Sequence, residues 1–183
     1  KKGIHEFDSK VEPEENTVVV IRAHGISPAQ REQLKAKHFN ICDATCPHVA
    51  KVHSYVKKHT VKGDNVVIVG DRGHAEVQGI LGSSMDRARI ISTVKEAREY
   101  SQNEHVPVCI VAQTTQNRET FDAICSILEK CSDQCSIYDT ICDSTGNRQK
   151  EARELCEKCD AVIVVGGRQS ANTTRLAEIC SQK

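Results

Sequence analysis

Short, nearly unbroken runs of β-branched residues, each followed by a longer amphipathic stretch, constrain the fold of this chain more than any other feature. The apolar runs are TVVVIRA (17–23), FNICDA (39–44), NVVIVG (65–70), ARIIS (88–92), VPVCIVAQ (106–113), CSIYDT (135–140) and AVIVVGG (161–167). Helical patterns fall between and after them, at about 28–38, 47–62, 76–83, 94–101, 117–131, 145–158 and 171–181. Strands that lack alternation are buried on both faces, and strands separated by helices run parallel. The pattern therefore predicts an α/β protein of doubly wound, parallel-sheet domains.

The polar, chemically capable residues collect just after the apolar runs: RAHG, DATCP, GDRGHAE, AQTTQNR, TICDSTGNR and GGRQSANTTR. In open α/β sheets, ligands bind outside the carboxyl ends of the strands, where helix N-termini present free N–H groups. Six such turns are expected to build one site.

Composition narrows the classes of partner. The 183 residues carry 25 Lys and Arg against 25 Asp and Glu. A net charge of zero gives no electrostatic reason to expect nucleic acid or an anionic membrane. No apolar run approaches the roughly 20 residues of a membrane span, and the first residues lack the apolar core of a signal peptide. A cytoplasmic, bacterial protein is expected. The chain does not begin with Met and ends in what reads as an unfinished helix, so it is expected to be an internal piece of a longer protein.

Ten cysteines are about 5% of the chain, below the density of a disulfide scaffold. Cys109 sits in an apolar run, Cys125 and Cys156 fall at helix-core spacing, and Cys42 reads as strand packing; free cysteine is a small hydrophobe that cores accept. Cys46 and Cys142 differ, because they lie on the turns of the active side. A thiol at a helix N-terminus has a lowered pKa and is a good nucleophile or iron ligand. Two thiolates on separate turns can hold part of an iron–sulfur cluster, with a further ligand supplied from elsewhere. Cys156 and Cys159 have C-x-x-C spacing at the end of a helix, but no second pair completes a zinc site. Cys131 and Cys135 flank a helix-to-strand turn and read as incidental.

His24, before a glycine at a strand end, is placed to bind phosphate or relay protons, although a surface loop histidine would look the same. His74 precedes Glu76 at a helix start, which suits a proton-delivery pair, yet a glutamate there also answers the helix dipole. Thr114 in QTT, and Ser170 and Asn172 in SANTTR, are helix caps or anion donors. The VVGGRQSANTTRL stretch suits a phosphate or diphosphate and matches neither a Walker A loop nor a dinucleotide fingerprint.

Taken in order, RAHG, DATCPHVAKVH, GHAEVQG, QTT, TICDSTGNRQ and SANTTRLAE resemble the 4-hydroxy-3-methylbut-2-enyl diphosphate reductases, from about Val18 to Ala177. The resemblance implies three α/β domains around a central 4Fe–4S cluster. One cysteine from each domain holds it; Cys46 and Cys142 match the second and third, and the first belongs to a segment this chain lacks. It implies a two-electron reductive dehydroxylation of an allylic diphosphate, the last step of the non-mevalonate isoprenoid pathway, with ferredoxin or flavodoxin as electron donor. His24 and His74 then match diphosphate-binding histidines, and Glu76 the proton-delivering carboxylate. Thr114, Ser170 and Asn172 match substrate contacts.

There are departures from the family pattern. Ala171 stands where many members have serine, Gln78 where many have glutamate, and His48 where leucine is common; two further substrate contacts, near the family's two termini, have no counterpart. The resemblance divides the chain into the end of a first domain (1–46), a second domain (47–139) and the start of a third (140–183). Taken alone, these residues are expected to be inactive. Two other functions are open: a zinc- or redox-responsive module built on Cys156 and Cys159, and a non-redox phosphate-ester enzyme built on His24, His74 and Glu76.

Overall fold

The computed structural model describes residues 4–8, 10, 12–14, 16–101, 107–132 and 134–182. Its core is a parallel sheet of β3 (Asn65–Val69), β4 (Arg89–Ile91), β5 (Val108–Ala112) and β6 (Cys135–Tyr138), in spatial order β4-β3-β5-β6. The central strands β3 and β5 are almost wholly buried, because helices cover both faces. On one face, Val66, Ile68, Cys109 and Val111 pack with Val52 and Val56 of α2 (Pro47–Lys62) and with Val77 and Ile80 of α3 (Ala75–Ser83). On the other, Val67, Val69, Ile110 and Ala112 meet Ala97 and Tyr100 of α4 (Val94–Ser101). Phe121, Ile124 and Leu128 of α5 (Arg118–Leu128) complete that layer. Each fully buried Val, Ile, Leu or Phe contributes on the order of 1.5–3 kcal/mol, so these two layers are the main source of stability.

A second, smaller sheet pairs β1 (Val18–Ile21) with β2 (Asn40–Asp43), again in parallel. Their crossover, α1 (Pro28–Ala36), starts with a capping box in which Ser27 and Gln30 satisfy each other's backbone N–H. It lies tightly on α3: a Cβ added at Gly82 would come within 2.3 Å of the Ser27 Cβ. Only glycine permits that approach.

α2 shows how local chemistry sets an element's bounds. Pro47 occupies the first turn, where its missing N–H costs nothing. Gly63 closes the helix in the left-handed region at φ 87°.

The expected elements occur with small shifts at their ends, and with one exception. The AVIVVGG run (161–167) joins α6 (Asp143–Lys158) to α7 (Ala171–Ser181) without becoming a strand. Among the described residues no strand lies beside it, and without a hydrogen-bonded ladder the segment stays irregular, with Ile163 88% and Val165 90% exposed. Cys42 also departs from expectation. It lies on β2 but is exposed rather than packed, since the two-stranded sheet is not covered there. Cys156 is half-buried rather than a core residue, and Val106 lies outside the described residues. No helix among the described residues is long and apolar enough to cross a membrane.

Candidate active site at the carboxyl ends of β3 and β5

From β3 the chain passes to β4 on one side and then to β5 on the other, so the winding reverses between β3 and β5. A crevice opens beyond the carboxyl ends of strands at such a reversal. Two residues of the crevice meet directly. Glu76, in the first turn of α3, is 2% exposed, and its two carboxylate oxygens are held by one residue. Oε1 accepts the Thr114 backbone N–H at 2.6 Å, and Oε2 accepts the Thr114 hydroxyl at 2.9 Å. This carboxylate is thus fixed at the switch point.

His74 is the N-cap of α3, and its Nδ1 accepts the Glu76 backbone N–H at 3.2 Å. That bond fixes the tautomer: Nδ1 is the acceptor, so in the neutral ring Nε2 carries the proton. The His24 ring stands against it edge to face, with centroids 5.1 Å apart. Burial, then the neighbouring His74, push the His24 pKa below its ordinary value, with Glu76 opposing. Its Nδ1 is buried without a hydrogen-bond partner among the described residues.

Both active-side cysteines cap helices. Cys46 is the N-cap of α2 and Cys142 the N-cap of α6, and neither sulfur makes a capping hydrogen bond. Their backbones tie them to the rest of the site. The Cys46 N–H donates to the carbonyl of Ala23, beside His24, at 3.0 Å, and the Cys142 N–H to the carbonyl of Thr114 at 2.9 Å. Cys46 is thus joined to Ala23, the neighbour of His24, while His24 meets His74, His74 binds Glu76, Glu76 binds Thr114, and Thr114 binds Cys142. Ser170 and Asn172 stand apart from these residues, at the start of α7. Ser170 caps the helix by accepting the Thr173 N–H, and the Asn172 Oδ1 is buried without a partner among the described residues.

Sequence reasoning missed two supports of this frame. Arg175 on α7 reaches across to Asp71, just after β3, at 2.6 Å and brings α7 to the crevice. The two lie 104 positions apart, with no local signal to join them. His53, about two turns along α2 from Cys46, bonds Ser83 of α3 through Nδ1 at 2.7 Å. Its Nε2 lies where a Cβ on Gly25, which adopts φ 69°, would come within 3.2 Å. One imidazole thus sits between the His24 turn, the Cys46 helix and the Glu76 helix.

Among the described residues no group of three His, Cys, Asp or Glu side chains is poised to hold a metal ion. The buried cysteines Cys109 of β5 and Cys125 of α5 play no part: burial pushes their thiols up to about 12.

The profile of the family described as LytB protein matches residues 1–183. The chain belongs to the LytB family. Curated relatives called 4-hydroxy-3-methylbut-2-enyl diphosphate reductase include those of Clostridium acetobutylicum, 41% identical over 97% of this chain and 27% of the relative, and Syntrophotalea carbinolica, 40% identical over 100% and 64%. The Geobacter sulfurreducens enzyme is 39% identical over 91% of this chain and 58% of its own length. Among solved structures, the E-1-hydroxy-2-methyl-but-2-enyl-4-diphosphate reductase of Plasmodium falciparum superposes with TM-score 0.82 at 30% identity, covering 90% of this chain and 52% of that one. A structure of (E)-4-hydroxy-3-methyl-but-2-enyl diphosphate reductase gives TM-score 0.66 at 37% identity, covering 90% and 59%. The chain therefore spans less than two thirds of the length of these LytB relatives.

Proposed function

We propose that the parent protein reduces (E)-4-hydroxy-3-methylbut-2-enyl diphosphate to isopentenyl and dimethylallyl diphosphates with the aid of a 4Fe–4S cluster. The observation that carries this reading is the path from Cys46, through Ala23 and its neighbour His24, to His74, Glu76, Thr114 and Cys142. It holds two cysteines and a carboxyl group in one frame.

The donor set fits such a cluster. Both sulfurs sit at positive helix ends and are free of capping bonds, which favours thiolate ligands. A third cysteine is proposed to come from the parent outside these residues, as would the remainder of the first and third domains flanking 47–139. When bound, the cluster would supply electrons, one at a time from ferredoxin or flavodoxin, and Lewis acidity toward the substrate hydroxyl.

The work of this chain's own residues follows from their surroundings. The imidazole rings of His24 and His74 offer N–H donors to a diphosphate, and the start of α7, with Ser170 and Asn172, offers further donors at a positive dipole end. Glu76 delivers a proton from its carboxyl, and Thr114, which binds both carboxyl oxygens, holds that group in place. Overall, two electrons and two protons enter, and the hydroxyl leaves as water. These 183 residues alone are proposed to be inactive.

The test uses the complete protein, reconstituted anaerobically with iron and sulfide. Wild type should consume the hydroxylated diphosphate. Cys46→Ala and Cys142→Ala should lose both visible cluster absorption and activity, while Glu76→Gln should keep the absorption and lose activity. Undiminished turnover in both cysteine variants would sink the reading in favour of a non-redox phosphate-ester enzyme.

A further inference from the structure

α2 is chemically unlike the other helices. Its 16 residues include Lys51, Lys57, Lys58 and Lys62 and no Asp or Glu. Every other α-helix of the described residues carries at least one acid. α3, α4, α5 and α6 each place one in the first turn, where the helix dipole favours it. A cysteine cap does not impose the difference, because α6 begins at Cys142 and still carries Asp143. Several lysines elsewhere are matched by acids: Lys35 by Glu32, Lys37 by Glu12 and Lys150 by Glu154.

Val52 and Val56 pin the inner face of α2 against the main sheet, so its orientation is fixed. All four lysines lie on the opposite, exposed side. Lys58 and Lys62 follow Lys51 by seven and eleven positions, so the three line one stripe along the helix, about 17 Å long at the helical rise. Tyr55 borders the stripe. Its ring stacks on Tyr138 of β6 with centroids 4.0 Å apart, and the Lys51 ammonium stands 5.8 Å from the Tyr55 centroid. The upper end of the stripe, Lys51, is five positions beyond Cys46, the cap that holds a candidate cluster thiol. Lysines one turn apart, as Lys58 and Lys62 are, repel each other, and an acidic partner relieves that repulsion on docking.

We propose that this stripe is the docking surface for a small acidic one-electron carrier protein of the ferredoxin class. The inference rests on the cluster reading above, which needs electrons delivered singly from outside. Charge selects the partner: with 25 cations against 25 anions the chain as a whole attracts no polyanion, so attraction is confined to this face. A stripe of that length lies within the contact patch of a small protein and leads the carrier toward Cys46. At each encounter the carrier is oxidised by one electron and the parent protein reduced by one. Two encounters supply the two electrons of a turnover. The lysines steer and orient the carrier and touch no substrate.

The test uses the complete protein, reconstituted anaerobically with iron and sulfide, beside a triple variant, Lys51→Gln with Lys58→Gln and Lys62→Gln. Binding of oxidised ferredoxin is measured by calorimetry at low and at physiological ionic strength. Turnover is driven either by reduced ferredoxin or by dithionite-reduced methyl viologen, a small reductant that needs no docking surface. In the variant at low salt, ferredoxin affinity and ferredoxin-driven kcat/KM should both fall about tenfold or more, and their salt dependence should flatten. Methyl viologen turnover should be unchanged, and Lys35→Gln should behave as wild type throughout. Equal ferredoxin affinity in wild type and triple variant would overturn the proposal, as would a wild type that binds no ferredoxin. So would an equal fall in methyl viologen turnover, or a variant whose lost binding is to phosphatidylglycerol vesicles instead. A wild type idle with methyl viologen would strike the cluster reading itself, and the calorimetry would still decide the docking.

Discussion

Replacing Thr114 with valine tests the centre of the site. Valine has nearly the same shape, so the perturbation is chemical: the hydroxyl that donates to Glu76 Oε2 at 2.9 Å disappears, while the backbone N–H to Oε1 remains. Both residues are buried, so no water replaces the lost donor. A buried acceptor left without its donor costs roughly 1–3 kcal/mol. Thr114→Val should therefore lose about 1–3 kcal/mol. Thr114→Ser keeps the hydroxyl and loses one methyl, about 0.8 kcal/mol. The assay is urea unfolding followed by circular dichroism, with the slope m checked for constancy so that the midpoint reports stability. Pairing each variant with Glu76→Gln completes a double-mutant cycle. Equal losses for valine and serine, or additive losses across the cycle, would refute the claim that the hydroxyl restrains the carboxylate.

Three further expectations concern the frame. His24 and His53 both titrate below the ordinary histidine value of 6.5, chiefly through burial; at His53, Arg31 lowers the value further while Asp43 opposes it. The unfolded chain then takes up protons that the folded chain refuses, so stability is full above pH 6.5 and is lost on acidification. His53→Gln should flatten this acid limb, and a limb as steep as that of wild type would refute the assignment. Iodoacetamide at mildly alkaline pH should label Cys42 and Cys159 in the native protein and spare Cys109 and Cys125 until urea is added; native labelling of Cys109 would contradict its burial. Gly82→Ala should cost about 1–3 kcal/mol by forcing α1 from α3. Gly79→Ala, whose new methyl would meet its nearest neighbours at 3.6 Å, should be tolerated, and equal urea midpoints for the two would refute the close contact at Gly82.

The parts of the fold legible in the sequence are those decided locally. Pro47 and Gly63 bracket α2, and the unbroken apolar runs of β3 and β5 announce strands covered on both faces. The 161–167 run carries the same signal yet forms no strand, because a strand needs a neighbour as well as a propensity. At the site, His24, His74, Glu76, Thr114 and the two cysteines were legible from turn positions and from family resemblance. The Glu76–Thr114 bond, spanning 38 positions, and the Arg175–Asp71 pair, spanning 104, follow from strand order instead. His53 lies inside a quoted motif, but its role depends on Gly25 and Ser83 arriving from other elements.

The unpaired apolar run at 161–165 also bears on handling of the protein. Its residues, Ala-Val-Ile-Val-Val, carry no charge, no proline and high β propensity, and three of the five are exposed. A segment of that kind, with its backbone groups unladdered, is a template for the same segment of another molecule. Concentrated preparations of these 183 residues should therefore self-associate edge to edge, and Ile163→Lys, which sets a charge on the template, should hold them in solution.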